Sequence, residues 1–128
     1  MRFLVANDGS VHGVHALQRA LSLIDAAHDE LFVLAIGQNG SQASELALDS
    51  NMEATYSMCT DAQVKPCILW TEATDPGVAI CESAVRHEVD LVVLGGRGHS
   101  TLHRVLVGST SDYVMNNSAV SVMITCPP

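Results

Sequence analysis

Apolar residues in this chain fall into five short runs, separated by stretches where they recur every three or four positions. The runs predict strands and the recurrences predict amphipathic helices. Arg2 to Ala6 reads as a first strand, followed by a turn at Asn7-Asp8-Gly9 and a helix N-cap at Ser10. Val14, Leu17, Leu21 and Ile24 keep helical spacing, so the first helix is expected to run to about Ala27. Leu31 to Ile36 is apolar throughout, the signature of a strand covered on both faces. Gly37 to Gly40 breaks it, Ser41 offers a cap, and residues 42–62 predict a second helix with Leu48, Met52, Tyr56 and Cys59 on one face. Lys65 to Trp70 predicts the third strand and residues 71–74 a loop.

Asp75-Pro76 then gives a clear helix start, an N-cap acceptor followed by proline at the first helical position. The third helix is expected to carry Ile80, Cys81, Ala84 and Val85 inward and to end near His87. Leu91 to Leu94 is the fourth strand, and Gly95-Gly96-Arg97-Gly98 breaks it. Ser109 is expected to cap the fourth helix, with Asp112 three residues on as in a capping box, and Asn116-Asn117 ends it. In the last strand, Val120, Val122 and Ile124 alternate with Ser121, Met123 and Thr125, the pattern of an edge or half-exposed strand.

The sum is βαβαβαβαβ, with no internal repeat or linker. Such alternation implies an α/β fold, a parallel sheet with helices on both faces joined by right-handed crossovers. Ligands of these sheets bind beyond the carboxyl ends of the strands, where the strand order reverses. Asp8, Ile36, Trp70 and Gly95 fall at or near such ends.

At 128 residues the chain is expected to form one domain with a core that needs no disulfide or metal support. No apolar run approaches the roughly 20 residues of a membrane span, and the N-terminal segment does not read as a signal peptide. A cytoplasmic protein is the expectation. The net charge of −8 argues against nucleic acid and anionic membrane as general partners. Cys59, Cys67, Cys81 and Cys126 form no C-x-x-C pair and read as buried small hydrophobes.

Against that acidic background, Arg97 and Arg104 fall within eight residues of each other, inside 90–112. This stretch, DLVVLGGRGHSTLHRVLVGSTSD, has the order a phosphate site needs. A buried strand leads to glycines that let backbone amides approach an anion, and a helix start adds free N–H donors. It is not a Walker A loop, which would need G-K-[ST], and it is not G-x-G-x-x-G after the first strand. A phosphorylated receiver domain would want an acid pair after the first strand and an Asp ending the third, where this chain has Asn7-Asp8 and Trp70-Thr71.

The combination Gly95-x2-Gly98-x9-Gly108-Ser109, after an apolar strand and before a helix, resembles the nucleotide motif of the universal stress protein family. The resemblance extends over RFLVANDGS at the start, over residues 75–109 and over the closing strand. It implies a five-stranded parallel sheet in order 3-2-1-4-5 and ATP as the bound cofactor, or AMP or ADP, with Mg²⁺ beside a triphosphate. It further implies that Asp8 lies near the ribose or base, that Ile36 faces adenine through its backbone, and that Leu94 and Gly95 lie alongside the nucleoside. Gly98, Gly108, Ser109 and Thr110 would hold phosphates, and Ala6 and Arg97 complete the implied binding set. Homodimers through the last strand are also implied. The chain departs from the family pattern at Asn7, at Gly96 and at Ser121, where a proline often begins the last strand.

His12 with His15, and His99 with His103, could each share a helical face, but no Cys or carboxylate completes a zinc set. They read as solvated helix and loop positions, with His99 and His103 flanking the phosphate loop. Trp70 reads as a core or rim residue. The resemblance implies an ATP-binding stress-response or regulatory protein, and because no acid, base and nucleophile fall in catalytic register, at most slow hydrolysis is expected. The alternative is a dimeric interaction module whose nucleotide pocket is vestigial.

Overall fold

The fold is that of a computed structural model, which describes residues 1–7, 11–37, 42–96 and 108–126, with the backbone alone described over 42–50. Nine elements alternate: β1 (Arg2–Ala6), α1 (Val11–Leu23), β2 (Glu30–Gly37), α2 (Gln42–Asp61), β3 (Pro66–Glu72), α3 (Pro76–Arg86), β4 (Leu91–Gly95), α4 (Ser109–Asn117) and β5 (Ser121–Thr125). The strands form one parallel sheet in order β3-β2-β1-β4-β5, as the resemblance implies. Register is continuous across the middle, with Val5 beside both Val33 and Val93.

Side-chain alternation sorts the sheet into two cores. Phe3, Val5, Leu31, Val33 and Val93 point to one face, where Ala16, Leu17 and Ala20 of α1 and Cys59 of α2 cover them. Leu4, Phe32, Leu34, Val92 and Leu94 point to the other, against Ile80 and Ala84 of α3 and Val114 of α4. β1 and β2 are buried on both sides, which is why they read as unbroken apolar runs. The chain leaves β1 toward β2 on one side and reaches β4 on the other, so the strand order reverses between β1 and β4.

Several local expectations give way to tertiary contacts. α1 stops at Leu23, short of Ala27, because Asp25 and Asp29 bond the backbone of the next turn. Asp29 accepts from the Asp25 amide at 2.8 Å, and Asp25 accepts from the Ala27 amide at 3.0 Å. β3 runs on through Thr71 and Glu72, expected as loop, because Ile36 and Gly37 of the longer β2 offer pairing partners. The inward face of α2 carries Asn51, Thr55 and Cys59, while Tyr56 is exposed. Val85 of α3 is 61% exposed, because Ala79, Ile80 and Ala84 take the inward stripe. Trp70 lies on the outer strand at 56% exposure, a rim rather than a core residue. Of the four cysteines, all free, only Cys59 is buried, Cys81 is half-buried, and Cys67 and Cys126 are exposed at or beyond edge strands. Burial pushes the thiols of Cys59 and Cys81 up from their ordinary value.

At the amino edge of the sheet, Arg2 ties three segments together. Its amide donates to Asp90 at 2.8 Å and its guanidinium to the His87 carbonyl at 3.0 Å. β5 forms the far edge, with Val122, Met123 and Ile124 half-buried, as its alternation predicts.

Candidate functional site

At the carboxyl edge, where the strand order reverses, the elements leave a cavity of about 280 Å³. Ala6 and Asn7 from the end of β1 form its middle, and Leu34 and Ile36 of β2 with Ala73 form one flank. Leu94 and Gly95 of β4, with Thr110 and Ser111 of α4, form the other. His12 and Gly13 of α1 and Pro76 and Ile80 of α3 close it from the two faces of the sheet. The lining is therefore graded. It is apolar on the β2 side and polar on the other, where α1 brings the His12 imidazole and α4 the hydroxyls of Thr110 and Ser111. Among the described residues that line it, none is Asp, Glu, Lys or Arg.

The local sequence explains how each wall is held. Asp75 caps α3, its carboxylate accepting from the amides of Gly77 at 3.0 Å and Val78 at 3.3 Å. That fixes Pro76 and Ile80 against the cavity. Gly77 lets α4 pack closely on α3, since a Cβ there would stand 2.7 Å from the Tyr113 ring. α4 begins differently from the expectation. Gly108, in extended conformation, is its N-cap, and no side chain caps the helix. Ser109 is the first helical residue, and the Asp112 amide already bonds the Gly108 carbonyl at 2.9 Å, one full turn in. Asp112 thus sits too far along to close a capping box. Its carboxylate instead accepts from Asn116 at 3.3 Å. Among the described residues no side chain caps the first-turn amides of α4, and the positive end of the helix dipole lies behind them.

The exit of β4 is locked by hydrogen bonds. The Ser111 hydroxyl donates to the Gly95 carbonyl at 3.3 Å, the Gly96 amide donates to Thr125 at 2.6 Å, and the Thr125 hydroxyl donates to Leu94 at 3.3 Å. Gly95 also has a packing role. A Cβ there would collide with the carbonyl of His12 and stand 2.8 Å from the His12 Cβ, so the absent side chain is what seats α1 against β4.

Asn7 is 2% exposed and is directed into the fold. Its side-chain amide donates to the Thr55 hydroxyl at 3.2 Å, and its carbonyl accepts from Asn51 at 2.7 Å. The polar face of α2 thereby fixes the residue just before Asp8. His12, read from sequence as solvated, is half-buried in the cavity wall. Its Nδ1 is shielded from solvent and has no hydrogen-bond partner among the described residues. An orphaned buried polar atom costs about 1–3 kcal/mol.

Of the residues singled out from sequence, Ala6, Ile36, Leu94, Gly95 and Thr110 come together in this cavity. Gly108 and Ser109 directly precede Thr110 at the start of α4 and are outside its lining. Asp8, Arg97 and Gly98, with Arg104, His99 and His103, lie outside the described residues. Sequence reasoning missed His12 and Ser111. The signal for His12 was its place in the first turn after β1, and that for Ser111 its place beside Thr110. Among the described residues no group of three or more His, Cys, Asp or Glu is arranged to hold a metal ion. A wider groove of about 580 Å³ runs between β3 and α3, past Trp70, Glu82 and Arg86, and contains none of the motif residues. What the smaller cavity can do chemically is hold a flat apolar group beside β2 and hydrogen-bond oxygens beside α4.

Known proteins share this architecture. A universal stress protein solved in complex with cAMP superposes with a TM-score of 0.79 at 20% identity, over 98% of this chain and 96% of that one. A universal stress protein family member from Arabidopsis thaliana with AMP bound gives a TM-score of 0.78 at 17% identity, over 100% and 92%. In sequence, a universal stress protein of Methanocaldococcus jannaschii, MJ0531, is 24% identical over 140 aligned positions, covering 99% of this chain and 82% of the relative. The model of the universal stress protein family matches residues 1–125. With the sheet order, the reversal-point cavity and that match over nearly its full length, the chain belongs to the universal stress protein family.

Proposed function

We propose that this chain is a single-domain, ATP-binding regulatory protein of the universal stress protein type, which holds an adenine nucleotide without a dedicated machinery to cut it. The observation that carries this reading is the graded cavity at the strand-order reversal. Its apolar flank of Leu34, Ile36 and Ala73 suits a purine face, and its polar flank at Gly95, Thr110 and Ser111 suits ribose and phosphate oxygens. A volume of about 280 Å³ is near the lower end for small-ligand sites, roughly 300–1,000 Å³, and fits the nucleoside part. AMP and cAMP, each bound by a relative of the same fold, share that part.

Gly98, Gly108, Ser109 and Thr110 would then hold the phosphates, with Arg97 in the same binding set and Asp8 at the adenosine. The start of α4, which no described side chain caps, adds backbone amide donors suited to an anion. Mg²⁺ would be held mainly through the phosphates, as this ion keeps its waters and needs few protein ligands. Among the described lining residues no carboxylate is present to act as a general base, which supports binding over hydrolysis. Pairing through the β5 edge, where Val122, Met123 and Ile124 are half-buried, would give the homodimer.

Calorimetric titration with AMP, ADP and ATP, with and without Mg²⁺, tests the reading. Saturable binding that is lost in Gly108→Val is expected. No heat from any of the three at millimolar ligand would overturn it and leave the dimeric interaction module with a vestigial pocket.

A further inference from the structure

We propose that His12 is a ligand-binding residue, its imidazole Nδ1 meeting an oxygen of the ribose-phosphate half of the bound nucleotide. The inference rests on the nucleotide reading above and deepens it.

Three observations converge on this residue. First, His12 lines the cavity and is half-buried, so it is neither a core histidine nor a solvated one. Second, its Nδ1 has no partner among the described residues and is shielded from water, a condition that a buried polar atom tolerates only at a cost. Third, its backbone is fixed, because the bare α-carbon of Gly95 packs directly against the His12 carbonyl and Cβ. The residue therefore cannot relieve its orphaned nitrogen by a shift of its backbone. It can turn about χ2, a broad and nearly two-fold torsion, which carries Nδ1 to the opposite edge of the ring. A ligand oxygen on the cavity side would then satisfy it.

The position along the cavity selects the ligand half. His12 packs on Gly95, and the Gly95 carbonyl accepts from Ser111, so these three residues share the polar flank. The apolar flank lies across β1, on β2. A purine on the β2 side leaves sugar or phosphate oxygens facing His12. Neutral imidazole donates or accepts according to tautomer, so both kinds of oxygen are within its chemistry. Among the described lining residues it is also the only one able to carry a positive charge.

The test uses His12→Phe, which keeps a planar ring without nitrogen, and His12→Asn, which keeps a polar atom close to the place of Nδ1. AMP and adenosine are titrated into each and into the wild type. His12→Phe is expected to weaken AMP about tenfold, the effect of one lost hydrogen bond, with most of the affinity restored in His12→Asn. An equal loss for adenosine identifies a ribose hydroxyl as the partner, and unchanged adenosine affinity identifies the phosphate. In wild-type protein, AMP should also shift the imidazole ¹⁵N resonance assigned to His12 by its absence from the variants. Wild type that binds AMP, with a ¹⁵N signal that does not move and equal affinity in His12→Phe, would overturn the assignment and leave the nucleotide reading standing. Wild type that binds neither ligand would overturn both. Should His12→Phe fail to fold, the ¹⁵N shift of the wild type decides.

Discussion

At Gly95 one missing side chain serves two surfaces. It belongs to the glycine pattern that resembles a nucleotide motif, yet its closest neighbour is the His12 backbone rather than a ligand position. Gly95→Ala should therefore lower stability by about 3 kcal/mol, the upper part of the range for overpacking, because the obstacle is backbone and cannot swing aside. Urea denaturation measures this directly, and a loss below about 1 kcal/mol would show that α1 can shift away. Asn7 teaches the same lesson with a polar group. From sequence it is a departure beside Asp8. In the fold it is bound by Asn51 and Thr55, residues 44 and 48 positions away. Nothing local to Asn7 announces those partners.

The helices differ in how far their starts can be read. Asp75-Pro76 is legible because an N-cap acceptor and a proline act within one turn, and the carboxylate bonds two amides as expected. Gly108-Ser109 is ambiguous because either residue can precede the first turn, and the fold chose Gly108. Paired substitutions separate the cases. Asp75→Ala should cost about 1 kcal/mol through the lost cap. Asp112→Ala should cost about 0.5 kcal/mol or less, because its carboxylate serves only the helix dipole and Asn116. Equal losses in urea melts would contradict that difference. The early end of α1 and the long β3 belong to the same scale. Asp25 with Asp29 stops the helix, and Gly37 of β2 supplies a partner that extends the strand to Glu72.

Across the whole molecule, the two ends of the sheet divide the work. The carboxyl edge holds the cavity, and the amino edge holds the ion pairs. There the Met1 ammonium lies 2.7 Å from Asp29. The hydrogen bond that Met1 donates to Asp29 raises the Met1 ammonium above its ordinary value, and the same bond, with the one from the Asp25 amide, holds the Asp29 carboxyl below its own. A raised ammonium contributes stability that is complete below its unfolded value, about 8, and is lost as pH rises through the folded one. A depressed carboxyl contributes stability that is present above its unfolded value, about 4, and is lost as pH falls through the folded one. The contribution of this pair should thus form a plateau between about pH 4 and pH 8 and decline on both sides. Subtracting the denaturation midpoints of Asp29→Asn from those of wild type across pH should trace that plateau, and a flat difference would show that the pair is not formed in solution.

The sequence by itself determined the alternation of strands and helices, the two-sided burial of β2 and β4, the half-exposed last strand and the family. These depend on period, apolar content and short motifs, which act within a few residues and need no distant partner. Only the tertiary structure decided which side chains meet at the carboxyl edge. It turned Asn7 toward α2, seated α1 on Gly95, brought Ser111 to the Gly95 carbonyl and put His12 in the cavity wall with its nitrogen unpartnered. Each of those outcomes joins segments far apart in the chain. The reason is physical: a strand's pattern says which face of a residue is buried, while the identity of what covers it is fixed only when the helices pack.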